Sequence, residues 1–244
     1  MQEKVLFILG AGASFNGGFP LAKSVLNEEG EIKIKGLIDD LPEVLTKWEI
    51  GITHIRREFS ERLNELSENA RPFGDVDTYA KYLFLTDPYG KKLKHLKETL
   101  VLYFTLKQRG PAGAIDPRYL PWFVGLLESY IFPENVRILS WNYDFQVQLA
   151  ISQIMDLEKN DVVKNITVYK SSRFKSYPFL DYTEVTFEEL MLAQLNGLGS
   201  ISQIEKGKYK CLINCTTQNF YNDLYSDLIG GKLTNSINFA WERS

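Results

Sequence analysis

The chain has 244 residues, of which 44% are hydrophobic and 24% charged; this excludes a disordered or fibrous protein and allows one large α/β domain or a domain carrying an insertion. A net charge of −3 and an isoelectric point near 5.6 argue against a broad nucleic-acid-binding face. The first residues are charged and the apolar run after them spans only five positions, so neither a signal peptide nor a spanning helix is expected, and a cytoplasmic protein without membrane contact is.

Val5 to Leu9 reads as a buried parallel strand covered on both faces, running into the glycine turn Gly10-Ala11-Gly12-Ala13-Ser14. Leu21 to Leu26 then reads as the opening of a helix, so strand, loop and helix form a unit whose amides and helix dipole favour a phosphate. Gly10 and Gly12 supply the G-x-G of a dinucleotide fingerprint, but its third glycine falls at Phe15, and Gly17 and Gly18 come later. An ordinary first strand followed by a glycine-rich turn is the simpler alternative.

Glu28 to Lys35 reads as a loop or short hairpin. Leu37, Ile38, Leu41, Val44, Leu45 and Trp48, and then Ile52, Ile55, Phe59, Leu63 and Leu66, recur at helical spacing. Asp75 opens a capped helix through Leu85, and Lys91 to Lys107 is another helix. After the connector Gly110 to Pro117 comes a helix over Pro121 to Tyr130. The Arg56, Arg57 and Arg62 cluster and the Lys91 to Lys97 cluster read as solvated helix faces.

Val136 to Trp141 returns to strand pattern, followed by Asn142-Tyr143-Asp144 and a helix through Phe145 to Ile154. In an open α/β sheet this position faces ligands bound at the carboxyl ends of strands. Helix capping by Asp144 and turn formation by Asn142 are the local alternatives. Beyond it, Ile166 to Tyr169, Lys208 to Ile213 and Ser236 to Trp241 read as strands and Phe220 to Leu228 as a helix, with Phe187 to Leu195 of either type.

Gly10-Ala11-Gly12-Ala13-Ser14 with Gly18-Phe19-Pro20, and later Ser140-Trp141-Asn142-Tyr143-Asp144, resemble in order the two motifs of the sirtuin fold, above all the sirtuin-like domains of bacterial antiphage systems. The resemblance implies a single domain over 1–244, with a Rossmann-like three-layer parallel-sheet core from 1–27 and 133–244 and a helical insertion at 28–132. It also implies that Gly10, Ala11, Gly12, Ser14, Phe19 and Pro20 bind NAD, that Asn142 contacts the nicotinamide ribose and that Asp144 shapes the nicotinamide pocket. The implied activity is NAD+ hydrolysis to nicotinamide and ADP-ribose in abortive infection. The implied assembly is a homo-oligomer or a complex with a sensing partner, without direct sequence-specific nucleic-acid binding.

The chain departs from the family at the catalytic histidine, since none follows His95. The segment closest to the family's leucine-His-Gly is Leu195-Asn196-Gly197, where asparagine has no basic pKa; an ordinary turn is an equally good account of those residues. Cys211 and Cys215 alone cannot make the four-thiolate zinc site of many deacetylases, so no zinc is expected and the thiols are expected to be reduced. No late G-[TY]-S segment appears, leaving the adenine contacts unassigned. A non-catalytic module that binds NAD, ADP-ribose or a partner protein is the alternative. A Rossmann-type reductase is less favoured, because no acidic residue follows a second strand at about 20 residues.

Overall fold

A computed structural model describes residues 4–87, 89–110, 114–126, 133, 135–154, 169–170, 175–176, 192–194, 199–205, 208–212, 219–233, 237 and 239–243. Its central element is a parallel sheet in the order β1 (Val5–Leu9), β4 (Val136–Ser140), β7 (Leu192–Gln194). Register runs from Val5 opposite Val136 to Leu9 opposite Ser140, with Gln194 on the other side of Ser140. The central strand β4 alternates in burial, with Val136, Ile138 and Ser140 inside.

One sheet face packs on α5 (Tyr119–Leu126) and α6 (Gln146–Ile154), where Phe7 and Leu9 meet a cluster of Ile138, Phe123, Val147 and Ile151. Phe7 stands edge-on to Trp122 at 4.9 Å between ring centres. Coverage of both faces was the expectation for β1, but Leu6 and Ile8, which alternate to the opposite face, are exposed. The physical reason is coverage: the described helices that pack on this sheet, α5 and α6, lie on the Phe7 side.

The helix expected to open at Leu21 does not form. Helical turning comes earlier, in a seven-residue 3-10 turn, Ala11–Gly17, that Gly18 stops in the left-handed region at φ 86°. Leu21 instead bridges Gly36, and Val25–Leu26 (β2) pairs antiparallel with Ile32–Ile34 (β3), the short hairpin allowed for 28–35. Pro20 has no amide to donate, and the Leu21 carbonyl accepts from Leu37, so the chain leaves the loop extended. The helix dipole expected behind the glycine loop is therefore missing.

The largest core is helical. After α1 (Leu37–Asp40) and a 3-10 turn with Pro42 in its first turn, α2 (Thr53–Ala70) buries Ile55, Phe59 and Leu63. It packs with α3 (Val76–Thr86), α4 (Lys91–Arg109) and α7 (Phe220–Ile229). Helix α4 is buried along most of its length, and its charged intruders are paired, Lys97 with Glu242 and Lys107 with Asp40, each at 2.6 Å, and Glu98 with Arg62 at 3.6 Å. Of the clusters expected to be solvated faces, Arg57 with Glu61 is a surface pair, but Lys97 and Arg62 are turned inward by the packing of α2 against α4, Arg62 pairing with Glu58 at 2.8 Å. Asp75 caps α3, accepting from the Thr78 amide at 2.6 Å. Asp75→Ala is expected to lower unfolding free energy by about 1 kcal/mol in urea titration.

Two short antiparallel pairings and a last turn complete the described chain. Tyr169–Lys170 (β5) pairs with Lys175–Ser176 (β6), and Ile201–Glu205 (β8) with Lys208–Cys211 (β9). The strand expected to reach Trp241 is instead a 3-10 turn at Ala240–Arg243, pinned by the Glu242 carboxylate accepting from the Phe239 amide. No described helix is long and apolar enough to cross a membrane. The chain is thus a mixed α/β protein with a small parallel sheet beside a larger helical core.

Candidate functional site

The carboxyl ends of β1 and β4 lie side by side, because the Leu9 carbonyl accepts from the Trp141 amide at 3.0 Å as the pairing ends. The 3-10 turn after β1 therefore faces the Asn142 to Asp144 segment. Ser14 is fully buried, and its hydroxyl accepts from the Asn142 side-chain amide at 3.1 Å. The Asp144 carboxylate stands close by, its charged form favoured by the same hydroxyl, so Asn142, Ser14 and Asp144 meet at one point. Tyr119 closes it from α5, with its hydroxyl 3.5 Å from that of Ser14.

Asp144 is buried, and burial raises its carboxyl to about 6, against the hydrogen bonds from Ser14 and the Gln146 amide, the latter at 3.0 Å. Asp144 thus does cap the start of α6, as its local reading allowed, and it also lines a cleft. Because the folded state holds this proton more tightly than the unfolded chain, the stabilisation is complete at the lowest pH and is lost as pH rises through 6. Comparing Asp144→Asn with the parent in urea at pH 4 and pH 7, the variant is expected to gain on the order of 3 kcal/mol relative to the parent across that interval.

A second layer holds the loop. Asp116 is buried and accepts from the Asn16 amide at 2.8 Å and from Arg118 through both carboxylate oxygens at 2.9 and 2.7 Å. Burial pushes the Asp116 carboxyl up, but Arg118 more than offsets it and holds it below the ordinary range. Arg118 also donates to the Gly12 carbonyl at 2.8 Å, placing a fixed cation at the loop. Gln146 spans Asp116 and Ala114, and Gln194 on β7 donates to the Asp144 carbonyl at 3.0 Å. None of these supports was picked out from sequence: Asp116-Pro117-Arg118 read only as connector, and its signal was an Asp two positions before an Arg in a glycine- and proline-rich stretch.

The cleft has a volume of about 350 Å³. It brings Ala11, Phe19 and Pro20 together with Asn142 and Asp144, and adds Phe104, Trp141, Tyr143, Asp77 and Trp241. Phe19 is buried and stacks on Phe104 at 6.2 Å. Gly10 and Gly12 do not line it, but a Cβ at either would meet nothing within 4 Å, so the bare backbone there is open to an approaching group. Ser14 lies behind Asn142. Asn196 lies outside the described residues, as do Cys215 and the side chain of Cys211. Among the described residues no group of three or more His, Cys, Asp or Glu is arranged to hold a metal ion.

No protein-family model matches the chain, nor does any curated protein.

Proposed function

We propose that this protein is an NAD+ glycohydrolase that releases nicotinamide and ADP-ribose, acting as an antiphage abortive-infection effector by depleting the cofactor. The observation that carries the reading is the hydrogen bond from Asn142 to Ser14 beside the buried Asp144, at the shared carboxyl ends of two adjacent parallel strands, on the wall of an aromatic cleft. A cleft of 350 Å³ suits a nicotinamide riboside, with the pyrophosphate along the open Gly10 to Gly12 backbone and near Arg118. Asn142, fixed by its hydrogen bond to Ser14, then bonds the ribose, and the buried Asp144 shapes the pocket beside it. The missing helix dipole shifts the anion-binding task to loop amides and to Arg118.

The fold that accompanies this reading is one sirtuin-like domain, a three-layer Rossmann-like core with the helical segment 28–132 inserted, working as a homo-oligomer or beside a sensing partner in the cytoplasm. A second reading is a module that binds NAD or ADP-ribose without cleaving it, favoured by the cleft's lining, in which neither His54 nor His95 takes part. Nicotinamide release and calorimetry on the full chain, with and without its activating partner, separate the two. Release above an Asn142→Ala control supports the hydrolase; saturable NAD binding without release supports the module; the absence of both release and binding removes NAD as the ligand.

A further inference from the structure

Hydrolysis of an N-ribosyl bond requires a water molecule to lose a proton as it bonds to the sugar carbon. The described side chains lining the cleft include three ionisable ones, Asp77, Tyr143 and Asp144. Tyr143 is kept as a neutral phenol by burial, which pushes it far up. Asp144 is buried, with its carboxylate engaged by the Ser14 hydroxyl and the Gln146 amide. Asp77 differs from both. It stands exposed to solvent on the first turn of α3, and the Trp241 indole N–H lies 3.3 Å from each of its oxygens.

Resting on the NAD reading above, we propose that Asp77 is the general base of the cleft, taking the proton from the attacking water while Trp241 holds the carboxylate in place. As the bond between nicotinamide and the ribose carbon breaks, its electron pair stays on the ring nitrogen and neutralises the pyridinium. The water oxygen bonds to the ribose carbon, its proton passes to Asp77 and then to solvent, and the products are nicotinamide, ADP-ribose and one proton. Two carboxylates in different environments then divide the work, the buried Asp144 shaping the pocket and the exposed Asp77 accepting the proton. Partial desolvation strengthens Asp77 as a base by raising its carboxyl, opposed by the Trp241 hydrogen bond and Lys81 and reinforced by Asp75; Tyr143 faces it as a neutral group.

Steady-state NAD cleavage and calorimetry on the full chain test this with Asp77→Asn, Asp77→Ala and Trp241→Phe. Asp77→Asn is expected to lower kcat by about 10²–10⁴-fold with NAD affinity within about threefold of the parent. Added formate is expected to restore part of the Asp77→Ala rate, and Trp241→Phe to give a smaller loss of kcat. A parent enzyme that cleaves NAD while Asp77→Asn keeps its kcat, or loses only NAD affinity, overturns the role of Asp77 alone, as does an Asp77→Ala variant indifferent to formate. A parent that neither binds nor cleaves NAD overturns the NAD reading and this role together.

Discussion

Asn142→Ala is expected to lose nicotinamide release by about 10²–10³-fold, the scale of removing one preorganised polar group from a reacting centre. The side chain is buried and its amide donates to the Ser14 hydroxyl at 3.1 Å, so it is held in place before any substrate arrives. Folding is expected to survive, because the Ser14 hydroxyl keeps its contact with Tyr119 and Gln194 still holds the backbone carbonyl of Asp144. The stability cost of the lost hydrogen bond is about 1 kcal/mol. Measuring nicotinamide release beside a thermal melt separates the two effects. A variant within about threefold of the parent rate removes Asn142 from the reaction.

A large stability effect is expected at Gly17 behind the glycine loop, where Gly17→Val should cost about 2–4 kcal/mol in urea titration. A Cβ there meets the Gln146 side-chain oxygen at 2.7 Å, the Ala114 carbonyl at 2.9 Å and the Asp116 amide at 3.1 Å. Two of these are backbone atoms, and Gln146 is fully buried while it bonds both Asp116 and Ala114, so no neighbour can swing aside. The clash also falls between the loop and the start of α6, and NAD affinity is expected to fall with stability. Gly12→Val is the counterpart: open space surrounds that position, so folding should be unchanged while NAD affinity drops. Equal stability for Gly17→Val and the parent contradicts the packing account.

Much of the fold was legible in local pattern. The period of Ile55, Phe59, Leu63 and Leu66 marks α2, and Asp75 as a cap marks the start of α3, because both signals act within one or two turns. Leu21 to Leu26 misled for the same reason: its composition tolerates a helix, yet the bridge from Leu21 to Gly36 and the β2–β3 pairing are made with residues beyond that window. Ser236 to Trp241 reads as a strand by alternation, but the Glu242 bond to the Phe239 amide turns the chain.

At the candidate site the division is similar. The Gly10 to Ser14 and Asn142 to Asp144 segments could each be singled out by residue type and order, since glycine turns and polar residues after an apolar strand have local causes. Asp77, Trp241, Arg118 and Phe104 could not, because they come from four separate elements of the chain with no mutual spacing.

By itself the sequence determined an acidic α/β chain with a long helical stretch between two polar-tipped strands, since periodicity and turn chemistry are local properties. Only the tertiary structure decided that β1 lies at the edge of the described sheet, that a 3-10 turn replaces the helix after the glycine loop, and that Ser14 bonds Asn142 across 128 residues of chain. Those outcomes depend on which strand pairs with which and on what is buried between them, and no window of neighbouring residues contains either.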